Sequence, residues 1–135
     1  MVKHALKDSG KECCGLLGGT GREVLTIYPL INESPRPETE YRVSIGLFRP
    51  LQQMRERGEE MLAIYHSHPT ATAVPSRKDL QQNYYPSAIH FIISLVGPEP
   101  DIKGYRLKTD SFEEIRWDIV DTPVPTDSSA LNNEE

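Results

Sequence analysis

The run AIHFIISLV, residues 88–96, constrains this chain more than any other stretch. β-Branched and aromatic side chains crowd it, and such residues suit a pleated, half-buried surface, so a strand is predicted here. MLAIYHSH, ending at His68, reads as a second buried strand, stopped by Pro69. Between them SRKDLQQNYY is a helix candidate with Ser76 at or near its N-cap. Upstream, CCGLLGG and EVLTIYPL are separated by GTGR and read as a hairpin. VKHALKDSG reads as a short helix ending near Gly10, NESPRPETE as an exposed loop, and YRV as a brief extended segment.

Ser44 is placed to cap a helix over roughly 45–57, with Leu47, Leu51 and Met54 as its apolar stripe. Pro50 falls inside that pattern and should kink the helix or split off its first turn, and Gly58 ends it. DIKGYRL and FEEIRWDIV look like a further hairpin. This order of elements predicts a single α/β domain over 1–120, a mixed sheet covered by helices. From about Asp121, DTPVPTDSSALNNEE has turn formers and few large apolar residues, so 121–135 are expected to form an unstructured tail.

Composition narrows the function classes. The chain has 135 residues, a one-domain size, and a net charge of −5 with no clustered basic face, which argues against nucleic acid as a partner. No apolar run approaches the roughly 18 residues of a membrane span, and MVKHALKDSG lacks the apolar centre of a signal peptide. The expectation is a cytoplasmic protein without membrane partners. Cys13 and Cys14 are the two cysteines, and their adjacency excludes a disulfide framework.

The chemistry concentrates in YHSHPTATAVPSRKD, residues 65–79. On a strand, residues i and i+2 share a face, so His66 and His68 project together and Ser67 turns away. Two imidazoles held this way can fill two corners of a tetrahedron around zinc. Asp79 could supply a third ligand, since Ser76 and Asp79 lie one helical turn apart on a shared face. Three protein ligands leave the open position of a catalytic zinc site. A hydrolase of this design also needs a base, and Glu12, at the entrance of the first strand, is the candidate. Each part has a plain structural alternative: an isolated HxH is weak, Ser-x-x-Asp also makes a capping box, and Glu12 could be a surface glutamate.

Taken together, ECCGLLGG followed by YHSHPTATAVPSRKD resembles the JAMM motif of the MPN-domain metalloproteases: a glutamate, then H-x-H, ten residues, and an aspartate. YRVS, RERGEEMLAIYHSHP and YYPSAIHFIISL resemble its short bacterial branch, which includes peptidases acting on ubiquitin-like sulfur carrier proteins. The resemblance covers about residues 3–119. It implies a cytidine-deaminase-like α/β fold, with His66, His68 and Asp79 as zinc ligands, Glu12 as general base and acid, and Ser76 as a donor to the zinc water or the oxyanion. The implied reaction is hydrolysis of an amide or isopeptide bond after a glycine-rich carrier C-terminus, and self-association as a homodimer is left open. The first helix is shorter than the family's usual one.

Other readings compete for the same residues. A noncatalytic MPN-type interaction module would hold no zinc. A zinc deaminase would want HxE and PCxxC, and a thermolysin-like enzyme HExxH, and all three are absent. Cys13 or Cys14 as a nucleophile would need a lowered thiol pKa; the plainer role for at least one is a small core hydrophobe. His4 is expected exposed, His90 satisfied in the core, Trp117 and Tyr105 packed, and Tyr84 and Tyr85 near the cleft. A peptide substrate could add a strand around 70–75 or at YRV.

Overall fold

A computed structural model describes residues 1–83, 85–119 and 123–132. The elements are α1 (Val2–Lys7), β1 (Cys14–Thr20), β2 (Glu23–Leu30), α2 (Phe48–Glu56), β3 (Glu60–His68), α3 (Arg77–Gln81), β4 (Ile89–Ser94), β5 (Asp101–Leu107) and β6 (Phe112–Ile115). One six-stranded sheet has the order β2-β1-β3-β4-β5-β6. Only β3 and β4 run parallel, joined by the crossover that contains α3; every other pair is antiparallel. The fold is the mixed α/β sheet expected from the order of elements.

Alternation along the strands splits the core between the two faces of the sheet. Cys14, Leu16, Tyr28, Leu30 and Ile64 join Met54 of α2 on one face. Cys13, Leu17, Ala63, Tyr65, Phe91 and Ile93 join Ala5 of α1 on the other. His66 and His68 continue the even-numbered side of β3, so they lie on the α2 face, and Ser67 lies on the α1 face. Gly15 is needed where it stands: a side chain there would collide with the ring of buried Tyr65.

Residues 45–47 form a 3-10 turn and the α-helix begins at Phe48. Pro50 is the third residue of α2, where its missing N–H would have had no helical partner. Ser44 does not cap the helix; its hydroxyl donates to Glu33 at 3.0 Å. Gly58, with φ +68°, follows the end of α2. Residues 41–43 do not join the sheet, because Arg42 pairs with its own loop: its carbonyl accepts from the Glu33 N–H and its N–H donates to Asn32. Both β6 and α3 are shorter than their sequence patterns suggest.

Part of the stretch expected to be an unstructured tail lies against the sheet. The Ile27 N–H donates to Pro125, the Asp127 N–H donates to Ile27, and Thr126 forms a parallel bridge with Ile27. Ala130 is buried with the α2-side core, and Arg57 pairs with Asp127 at 2.8 Å. A polar segment can pack this way because its backbone, not its side chains, satisfies the free edge of β2. Among the described residues, no helix is long and apolar enough to cross a membrane.

Candidate metal centre

β3 ends on its two histidines at the point where the parallel crossover departs. The chain then turns through 69–75, and three successive carbonyls anchor that turn. Thr72 accepts from the His68 ring at 2.8 Å, Ala71 from Ser94 at 2.6 Å, and Ala73 from the Tyr105 hydroxyl. α3 follows at once. Its first turn is a capping box in which the Asp79 N–H donates to Ser76 Oγ and the Ser76 N–H donates to Asp79 Oδ2 at 2.9 Å. The plain structural reading of Ser-x-x-Asp is therefore correct, and it does not compete with a ligand role, because the same box aims Asp79 at the end of β3.

His66 Nε2 and His68 Nε2 lie 3.1 Å apart, and Asp79 Oδ2 lies 3.2 Å from the first and 3.1 Å from the second. These three atoms form a nearly equilateral triangle. Among the described residues, His66, His68 and Asp79 are the group of side chains placed to hold a metal ion. A tetrahedral zinc at 2.0–2.1 Å from each ligand subtends edges of about 3.3–3.4 Å, close to what the side chains already make. The bond from His68 Nδ1–H to Thr72 turns the lone pair of its Nε2 toward the triangle.

Electrostatics agree with the geometry. Burial alone would raise the Asp79 carboxyl, but the facing histidines and the Ser76 N–H outweigh it and hold the carboxyl well below its usual range. For His68, burial lowers the pKa, while Asp79 and the Thr72 carbonyl more than offset it. His90 is buried and pushed down to about 4 by burial and by His66, so it stays neutral.

Glu12 lies just before β1, opposite this triangle. Cys14 pairs with His66, and the Ser67 N–H donates to the Cys13 carbonyl. Carried one step further, the antiparallel register brings Glu12 across from His68. Glu12 is 7% exposed, and its Oε1 finds no hydrogen-bond partner among the described residues. Burial, chiefly, pushes its carboxyl up to about 7, with His66, Asp79 and His68 all acting on it. Two imidazoles and a carboxylate thus converge on one point, with the buried carboxyl-bearing residue Glu12 across the register from His68.

The match to known proteins decides the family. The family described as prokaryotic homologs of the JAB domain matches residues 1–108. The chain belongs to that family. Among relatives of this JAB domain, the probable TtuB-protein conjugate cleaving protease of Thermus thermophilus is 40% identical over 80 residues, covering 58% of this chain and 53% of that protein. The chain thus aligns with about half the length of that relative. The CysO-cysteine peptidase of Mycobacterium tuberculosis is 29% identical over 124 residues, covering 90% of this chain and 85% of that one. A solved structure from Desulfitobacterium hafniense superimposes with a TM-score of 0.75 at 31% identity, over 95% of this chain and 86% of that one. The family expectation is borne out, and the Thermus and Mycobacterium relatives carry the names of a protease and a peptidase.

Other residues settle into plainer roles. Cys13 and Cys14 are both buried; burial pushes the Cys13 thiol up to about 11 and the Cys14 thiol well above its ordinary value. A nucleophile needs the opposite shift. His4 is not an exposed helix residue: its Nδ1 meets the Tyr65 hydroxyl at 2.9 Å and its side chain is largely covered. Trp117 packs edge-on against Phe91, and Tyr105 is buried. Tyr85 lines a cavity beside Asp79, with Leu16, Leu30, Val43 and Ile64; Tyr84 lies outside the described residues.

Sequence reasoning missed three contributors, all connected with NESPRPETE and YRV. Tyr41 stacks on His66, centroids 4.6 Å apart and planes 25° from parallel. Glu40 is buried, accepts from Ser34 and Arg36, and faces Lys78 of α3 at 3.5 Å. Asn32 bonds to four backbone groups. Nothing in the spacing of this loop signals burial, because its polar groups satisfy one another irregularly within the loop and its contacts to Glu12, His66 and Lys78 are distant in sequence.

Proposed function

We propose that this protein is a zinc-dependent metallopeptidase that hydrolyses an amide or isopeptide bond at the glycine-rich C-terminus of a ubiquitin-like sulfur carrier protein. The observation that carries this reading is the triangle of His66, His68 and Asp79, already spaced for a tetrahedral ion, beside the buried carboxyl of Glu12. The donor set suits zinc: two imidazoles and one carboxylate. When bound, such an ion supplies Lewis-acid activation of water and of the scissile carbonyl.

This chain's own residues do the rest. Glu12 accepts the proton of the attacking water and delivers it to the departing nitrogen. Burial raises this carboxyl to about 7 in the metal-free protein, and a cation bound beside it would draw it back toward the ionised form that accepts a proton. Ser76 Oγ accepts the Asp79 N–H, so its own hydrogen remains able to point at the oxygen that becomes negative. One such donor is worth about 10²–10³ in rate. The stack of Tyr41 on His66 fixes the plane of one imidazole.

The carrier tail is proposed to enter along Tyr41, Arg42 and Val43, which wall the cavity beside Asp79. Arg42 bonds inward to Asn32 and Glu33, so alternation turns the peptide groups of its neighbours outward, toward an added strand. The 70–75 turn suits this less well, because its carbonyls already accept from His68, Ser94 and Tyr105. The names of the relatives above support a substrate of this class.

The test pairs metal analysis with incubation against a carrier whose terminal glycine is amide-linked to cysteine. Wild type and Glu12→Gln should each hold one zinc, and Glu12→Gln should cleave about 10²–10⁴-fold more slowly. Equal cleavage by both removes Glu12 from the scheme. Absence of zinc from both, with no cleavage, points to a noncatalytic interaction module.

A further inference from the structure

We propose that Asn32 is the positioning residue for Glu12, and that it couples the base to the helix carrying Asp79. The inference rests on the role assigned to Glu12 above. Glu12 stands outside the strands, so no ladder holds its backbone. Its N–H donates to the Pro37 carbonyl at 2.6 Å, and its carbonyl accepts from Asn32 Nδ2 at 2.9 Å. Both partners belong to the 31–43 loop. The buried Oε1 of Glu12 has no partner among the described residues, and the two backbone bonds are the anchors that hold the residue in place.

Asn32 makes every bond its amide can form. Nδ2 donates to the Glu12 and Glu40 carbonyls, both at 2.9 Å, and Oδ1 accepts from the Ser34 N–H at 3.0 Å and the Arg42 N–H at 3.1 Å. The partners fix its orientation, since a flipped amide would set donors against donors. Glu40 in turn faces Lys78, the residue before Asp79. Residues 40–42 also include Tyr41, stacked on His66. One amide therefore joins three things the reaction must keep in register: the base, a ligand ring and the ligand helix. Ser67 braces the same residue from β3. Its Oγ accepts from the Cys13 N–H at 2.8 Å and donates to the Lys11 carbonyl at 3.4 Å, on either side of Glu12. An error near 1 Å in such a base costs on the order of 100-fold.

The test is Asn32→Asp, which keeps both acceptor bonds but can donate to neither the Glu12 nor the Glu40 carbonyl. In the zinc-loaded enzyme, with the carrier–cysteine amide as substrate, kcat should fall about 10- to 100-fold while KM and zinc content hold. In the metal-free protein, amide exchange should quicken at Glu12 and Cys13 and stay unchanged within β3. In the Glu12→Gln background, Asn32→Asp should cost little more, because a residue acting through Glu12 loses its effect when Glu12 is neutralised. Wild-type kcat in Asn32→Asp overturns the proposal. So does an equal loss in both backgrounds, or a collapse of folding shared with Asn32→Ser, either of which makes Asn32 a general structural residue. If Glu12→Gln alone proves fully active, the role of Glu12 has failed instead, and the exchange result still reports whether Asn32 holds that backbone.

Discussion

Asp79 is where the site's chemistry and its folding meet. Its Oδ2 faces both imidazoles and also accepts the Ser76 N–H. Asp79→Asn keeps the size but removes the charge, so it should abolish tight zinc binding while leaving the fold intact, as metal analysis and circular dichroism would show. Gly15 makes a purely structural prediction. A methyl group there meets the buried Tyr65 ring, whose hydroxyl is held by His4. Gly15→Ala should destabilise the protein by about 1–3 kcal/mol in denaturant titration. At this scale the sequence was most legible: HxH on a strand and Ser-x-x-Asp at a helix start carry their geometry with them. Asn32 and Tyr41 were illegible, because a loop asparagine or tyrosine has no periodicity to say what it touches.

α3 has only five residues and is held at its start by the Ser76–Asp79 box. Ser76→Ala should lower stability by about 1 kcal/mol. It should also weaken zinc by roughly tenfold or more, since Asp79 loses part of its orientation; competition with a chromogenic chelator would measure this. At the other end of the chain, the segment around Thr126 covers the edge of β2 and buries Ala130. Removing residues 123–135 should cost about 2 kcal/mol in thermal unfolding, from the lost bridge bonds, the Arg57–Asp127 pair and the Ala130 contact. The hairpins, the buried strands and the split helix at Pro50 were readable from local pattern. The docking of this segment was not, because it depends on an edge that exists only once the sheet has formed.

For the whole molecule, two buried groups impose opposite pH dependences on the metal-free protein. The Glu12 carboxyl sits near 7 when folded, above its ordinary 4.5, so the folded state holds this proton more tightly and stability falls as pH rises from about 4.5 to 7. His90 sits near 4, below 6.5, so the unfolded state takes up the proton first and stability rises with pH over about 4 to 6.5. The two oppose each other across the same window. Glu12→Gln removes the first, up to about 3 kcal/mol by pH 7, and should give a stability that climbs more steeply with pH than the wild type. Parallel profiles for the two proteins, measured in chelator, would contradict the burial of Glu12. Zinc in excess should raise Tm of the wild type and leave Asp79→Asn unchanged.

The amino-acid sequence by itself determined the order of elements, the mixed α/β class, the pairing of His66 with His68 on one face, and the family. All of these rest on periods of two or about four residues, or on a motif that survives as a string. Only the tertiary structure decided that Glu12 crosses from the start of β1 to the end of β3, that the 31–43 loop closes over it, and that both thiols are shut away from solvent. The reason is physical: those placements come from strand register and from hydrogen bonds between groups far apart along the chain, whose partners are chosen by the folded sheet and leave no local pattern.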